Sequence, residues 1–111
     1  MKRTFVEVSS FSRRVDREGA DVLPRIQIEL LKNPEAGRVI QGTGGLRKLR
    51  IADAGRGKGK RGGYRVIYFD LAGLERTYLL ALYDKGEKDD ISPEEKGILK
   101  SFAEKLKRET R

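Results

Sequence analysis

Residues Gly44 to Arg65, GGLRKLRIADAGRGKGKRGGYR, commit this chain to a sheet before any other feature is weighed. LRKLRI sets Leu49 and Ile51 against Lys48 and Arg50, an alternation with the period of two that a strand requires. The glycines of GRGKGKRGG then free the backbone to turn. YRVIYFDL starts a second strand. The reading is a hairpin laid on a small sheet. It holds eight cations, Arg47, Lys48, Arg50, Arg56, Lys58, Lys60, Arg61 and Arg65, against the single acid Asp53. That local charge of +7 nearly equals the +8 of the whole chain. So concentrated a field implies a polyanionic partner, most simply nucleic acid.

The remaining elements follow from period and punctuation. TFVEV, from Thr4 to Val8, reads as a first strand. Ser9 or Ser10 can cap a short helix with Phe11 and Val15 one turn apart, ended by Gly19. Asp21 can cap a second, with Pro24 in its first turn and Leu23, Ile26, Leu30 and Leu31 as its apolar stripe. Asn33-Pro34 stops it. Glu35 to Gly45 reads as a glycine-rich connector. ERTYLLALY, Glu75 to Tyr83, is nearly unbroken apolar sequence from Tyr78, as a strand buried on both faces would be. Ser92-Pro93-Glu94-Glu95 is a strong helix start, and Ile98, Leu99, Phe102 and Leu106 form that helix's stripe. The expectation is an α+β fold: a small antiparallel-rich sheet of about four strands, two N-terminal helices on one face and one C-terminal helix near the sheet edge.

At 111 residues a single domain over 1–111 is expected. Hydrophobic residues make up 37% and charged residues 38%, a balance that favours a thin two-layer domain. No apolar run approaches the roughly 20 residues of a membrane span. MKRTFVEVSS lacks an apolar signal region of about 7–15 residues. A cytoplasmic protein with no membrane partner is the expectation. With no cysteine and no histidine, thiolate chemistry, Ser–His and Cys–His arrangements and His-based metal sites are excluded. An all-carboxylate site for a hard cation stays open, but no metal or cofactor is expected.

Each chemistry-bearing motif has a plainer structural reading beside it. The basic loop from Gly55 to Gly63 reads as an arm touching phosphates, or as a solvated hairpin tip. It is not a Walker A loop, because Lys58 and Lys60 precede glycine and arginine rather than serine or threonine. Lys48 and Arg50 share one strand face and Arg65 stands with Ile67 and Phe69 on the next, so strand pairing would bring three cations together. Otherwise they are unrelated surface charge. DKGEKDD, Asp84 to Asp90, reads either as a solvated loop or as the place where Lys85 or Lys88 hangs beside the basic patch. Phe5, Phe11, Tyr68, Phe69, Tyr78 and Phe102 read as core, and Tyr83, at a strand end, as the aromatic best placed to stack on a base.

The segments NPEAGRVIQGTGGLRKLR, GGYRVIYFD and YLLALYDKGEKDDISPEEK, taken in that order, resemble the RelE/ParE superfamily of bacterial toxins, especially its HigB-like branch. The similarity runs from about Arg3 to Lys107. It implies the RelE-like fold and, in many members, ribosome-dependent cleavage of translated mRNA that inhibits translation. It also implies a cognate antitoxin, here expected to be a small helix-turn-helix protein with an acidic segment, beside the ribosome and mRNA as partners. By position, Arg65 matches the family's phosphate-contacting arginine, Lys48 and Arg50 match its basic residues on the preceding strand, and Lys85 matches the basic residue after the central strand. These four are the expected catalytic set. Arg47, Arg56, Lys58, Lys60, Arg61, Tyr83 and Lys88 are the expected RNA contacts. The chain departs from relatives that use a histidine or a C-terminal tyrosine, so base and acid stay unassigned between Lys48 and Lys85 or Lys88. A gyrase inhibitor without enzymatic activity and a plain RNA-binding module are the alternatives.

Overall fold

A computed structural model of the protein describes residues 3–19, 21–52, 63–87 and 90–109. Its elements are β1 (Thr4–Glu7), α1 (Ser9–Glu18), α2 (Val22–Lys32), β2 (Arg38–Val39), β3 (Leu46–Ile51), β4 (Tyr64–Leu71), a 3-10 turn (Ala72–Leu74), β5 (Arg76–Asp84) and α3 (Pro93–Glu109). The five strands lie in the order β1-β5-β4-β3-β2, with β1 parallel to β5 and every other pair antiparallel. The α+β expectation holds, with five strands in place of about four. The extra strand, β2, is two residues long and lies in the stretch read as a connector. Two residues carry no period, and only pairing with Arg47 and Lys48 makes them a strand.

The central strands explain the layers. In β4, Tyr64, Val66 and Tyr68 pack with Phe11 of α1, and with Val22, Ile26 and Leu30 of α2. Phe69 points into the other core, against Ala103 and Leu106 of α3. The β4–β5 register jumps from Ile67↔Ala81 to Tyr68↔Leu79, leaving Leu80 as an extra residue, a bulge. Leu79 and Leu82 therefore face α1 and α2, while Tyr78 and Leu80 face α3 and Tyr83 packs with Ile91. This is why the run reads as unbroken apolar sequence. Apolar residues on both faces need cover on both faces. So α3 lies across the second face rather than at the edge, and the domain has three layers, not two.

The helix ends are mostly as the sequence implies. Ser92 and Glu95 form a reciprocal capping box: Ser92 N–H donates to Glu95 Oε1 at 3.0 Å and Glu95 N–H to Ser92 Oγ at 3.1 Å. Asp21 and Val8 stand at the other two N-terminal positions without a side-chain cap, so neither Asp21 nor the adjacent serines cap as expected. Gly19 ends α1 with φ +105°, a left-handed value that suits glycine. In α3 the covered stripe is Leu99, Phe102, Ala103 and Leu106, at i, i+3, i+4 and i+7. Ile98, expected in that stripe, is 70% exposed, and Leu31 of α2 is likewise exposed.

Tyr68 fixes the connector to the sheet. Its buried hydroxyl donates to Pro34 O at 2.7 Å and accepts from Gly37 N–H at 2.9 Å. Arg47, projecting from the same sheet face, donates to Gly37 O at 2.8 Å and Glu35 O at 3.2 Å. A Cβ at Gly37 would stand 2.7 Å from the Tyr68 ring and 3.0 Å from the Lys48 carbonyl carbon. We expect Gly37→Ala to destabilise the fold by about 1–3 kcal/mol through overpacking, and Tyr68→Phe by about 1–3 kcal/mol by leaving the buried Gly37 N–H and the half-buried Pro34 carbonyl without that hydroxyl. Urea unfolding checks both; wild-type midpoints would remove this lock from the account.

Candidate nucleic-acid interface

Residues opposite one another in paired strands share a face of the sheet. Arg38 stands opposite Lys48, and Lys48 opposite Ile67, forming one row. Arg50, Arg65 and Tyr83 form the next. Both rows lie on the α3 face, whereas Leu49 and Ile51 point to the α1–α2 core. Arg38, Lys48, Arg50 and Arg65 thus converge across three strands. The convergence expected of Lys48, Arg50 and Arg65 follows from this register, and Arg38 is an addition. No sequence signal marked Arg38, because its place depends on the two-residue strand β2.

The second row is unusually crowded with charge. Leu46 O accepts the Ile40 N–H at 2.8 Å, so the backbone groups of Leu46 point away from β4. Backbone direction alternates along a strand, and those of Arg50 point away too. Arg50 and Arg65 are then a non-hydrogen-bonded pair, the closer antiparallel spacing, at about 4.5 Å between Cα atoms. Like charges directly opposite are unfavourable. Asp90 Oδ1 lies 3.5 Å from Lys48 Nζ at this patch. An open cavity of about 210 Å³ is lined by Ala36, Arg38, Lys48 and Arg50.

The expected site residues divide into distinct groups. Arg50 is exposed and Lys48 half-buried. Arg65 is only 3% exposed, and its guanidinium donates to Gly63 O and Tyr64 O at 3.4 Å each. It is therefore part of the packed structure and not the exposed strand start that its position suggests. Arg47 lies on the opposite face, occupied with the Glu35–Gly37 carbonyls, so it does not join the patch. Tyr83 is 2% exposed, with Ile67 and Ile91 around it, and its ring offers no open face for a base. The reason is α3 and the turn before it, which fold over the strand end. Lys85 is exposed. Arg56, Lys58, Lys60, Arg61 and Lys88 lie outside the described residues. Among the described residues no group of three or more His, Cys, Asp or Glu could hold a metal ion, and no helix is long and apolar enough to cross a membrane.

The stretch after β5 is a built turn. Glu87 N–H donates to Asp84 O at 2.9 Å, Gly86 N–H to Asp84 Oδ1 at 2.7 Å, and Asp84 N–H to Glu87 Oε1 at 3.0 Å. Lys85 N–H donates to Gly63 O at 3.2 Å, tying the turn to the entry of β4. From α1, the Arg14 guanidinium grips both Glu87 carboxylate oxygens and also donates to Glu18 Oε2 at 2.7 Å. The Tyr64 hydroxyl donates to Glu18 Oε1 at 2.6 Å.

Comparison with known proteins agrees with this architecture. The family model described as the RelE toxin of the RelE/RelB toxin–antitoxin system matches residues 31–111. The isolated E. coli RelE toxin has a TM-score of 0.57 at 16% identity, over 96% of this chain and 98% of that one. A free-state E. coli RelE with two arginines replaced by alanine gives 0.58 at 15% identity, over 80% and 90%. The intact E. coli RelBE toxin–antitoxin complex gives 0.56 at 16%, over 75% and 96%. At these identities the solved structures speak to the fold alone.

The turn's electrostatics carry a pH signature. The hydrogen bonds from Arg14, then that from Asp84 N–H, lower the Glu87 carboxyl from 4.5 to about 2. A lowered folded-state value stabilises above the unfolded value and is lost as the pH falls through the folded one. We expect the Glu87 contribution to be intact above about pH 4.5 and to disappear on acidification through about pH 2. Carboxyl-carbon NMR titration checks this, and an Arg14→Gln variant should return Glu87 towards its ordinary range. Titration of Glu87 near 4.5 in the unaltered protein would exclude the clamp.

Proposed function

This chain belongs to the RelE toxin family, and on that premise we propose that it is a ribosome-dependent endoribonuclease that cuts translated mRNA at the cationic face of β2, β3 and β4. The carrying observation is the placement of Arg50 opposite Arg65, with Arg38 and Lys48 in the adjacent row. RNA carries its own nucleophile. The 2′-hydroxyl attacks the adjacent phosphorus, the bond to the 5′-oxygen breaks, and charge gathers on the phosphorane oxygens. Guanidinium groups meet that charge through bidentate contacts. Arg50 and Lys48 stand where a phosphate can reach them, and Arg65 supports the field from beneath. Lys48 and Lys85 are the described groups to exchange protons with the 2′- and 5′-oxygens. No metal enters this scheme. The ribosome supplies orientation, which is worth a large share of the rate when the catalytic groups are weak acids and bases.

The same charge explains the expected partner. A cationic patch with Arg38 and Arg50 exposed favours a cover of opposite charge, which fits an acidic segment of a cognate antitoxin, itself a small helix-turn-helix protein. Association of that kind is fast and salt-sensitive.

Arg50 and Arg65 make the test discriminating. Arg50→Gln should lower mRNA cleavage by about 100- to 1000-fold while stability stays within about 0.5 kcal/mol, because Arg50 is exposed. Arg65→Ala should lower cleavage and also destabilise the fold by about 1–3 kcal/mol, because it empties a buried position. Primer extension on a translated message and urea unfolding read the two effects. Wild-type cutting by Arg50→Gln would remove the interface from the reaction. DNA-damage signalling without message cleavage would instead indicate gyrase inhibition, and ribosome binding with neither effect would leave a binding module.

A further inference from the structure

In the turn after β5, Lys85, Gly86 and Glu87 are exposed, so polar contacts hold these three residues. Two of these contacts reach beyond the turn. One is the Lys85 N–H to Gly63 O bond, two residues before Arg65. The other is Glu87, whose carboxylate closes the turn on Asp84 N–H and is gripped from α1 by Arg14. Arg14 is itself held by Glu18, and Glu18 by the Tyr64 hydroxyl, so the chain of contacts returns to β4 one residue before Arg65. Helix α1 packs on the opposite face from the cationic patch, through Phe11. The network therefore links α1, the turn and the entry of β4.

We propose that Arg14 and Glu87 are positioning residues of the RNA-cleaving site, acting by holding the turn that presents Lys85 beside the entry of β4. This rests on the nuclease reading and deepens it. Neither residue belongs to the patch formed by Arg38, Lys48, Arg50 and Arg65. Their effect must then pass through Lys85, and it must appear in the rate of the chemical step rather than in binding. A surface ion pair kept only for stability would behave differently. Its loss would cost little, as exposed pairs generally do, and the loss would not depend on the presence of Lys85.

The experiment measures single-turnover cleavage of a translated mRNA on programmed ribosomes, with ribosome affinity measured in parallel. Glu87→Ala is the first variant, since the Glu87 side chain is 47% exposed and its removal leaves no cavity. The expected result is a rate reduced by up to about 100-fold, the scale of a misplaced catalytic group, with ribosome affinity unchanged. Arg14→Gln should do the same. In a Lys85→Gln background, already slow, neither change should lower the rate further. Wild-type rates for Glu87→Ala or Lys85→Gln would overturn the proposal. So would a further loss on adding Glu87→Ala to Lys85→Gln, or weakened ribosome affinity in place of a slowed rate. These outcomes leave the nuclease reading standing. Absence of cleavage by the unaltered protein would sink that reading and this inference together.

Discussion

The pairing of β3 with β4 is the constraint on which the rest of the molecule depends. It sets Leu49 opposite Val66 and Ile51 opposite Tyr64, which turns both strands' apolar residues toward α1 and α2. The same register leaves Arg50 and Arg65 opposite one another on the other face. A one-residue slip would put Leu49 and Ile51 on the cationic side and bury Lys48 and Arg50 against the helices. The core therefore enforces the charge cluster. Burial of the β3 and β4 side chains on the helix-pair face supplies the free energy that keeps two guanidinium-bearing residues together.

The second face is divided in its work. Helix α3 covers the part carrying Leu46, Phe69, Tyr78 and Leu80. Lys107 near its end donates to Gly44 O and sits 5.7 Å from the Phe69 ring centre, closing that side. The part toward the start of β4 is left to Arg38, Lys48, Arg50 and Arg65. The lock of Tyr68 on Pro34 and Gly37 holds the chain that delivers Arg38 to this face. Burial raises the Tyr68 hydroxyl above its ordinary range, so it stays protonated and able to donate to Pro34 O. An apolar core, a buried tyrosine and a charged face are thus parts of one arrangement.

The likeness to E. coli RelE at 15–16% identity shows how far this architecture outlasts sequence. A fold accommodates many surfaces, and function resides in the surface it carries. Here the register brings Arg38, Lys48, Arg50 and Arg65 to one face of the sheet.

Local and periodic features were legible from the residues alone. The capping box at Ser92 and Glu95, the β3–β4 hairpin, the doubly buried β5 and the excess of charge between Gly44 and Arg65 depend on neighbours a few positions apart. Other features depended on partners far along the chain, and only the tertiary structure decided them. Strand β2 exists because Arg38 meets Lys48. Arg47, placed on the other face by its strand's own alternation, is occupied there because Gly37 and Glu35 offer carbonyls. Tyr83 lost its open ring to Ile91, and Arg65 became buried at a position that reads as exposed. Arg14 and Glu87, 73 residues apart, meet only once α1 has docked on the sheet. Periodicity reports which face a residue takes within its own element. It carries no information on which element will come to cover that face, because that choice is made by packing between segments.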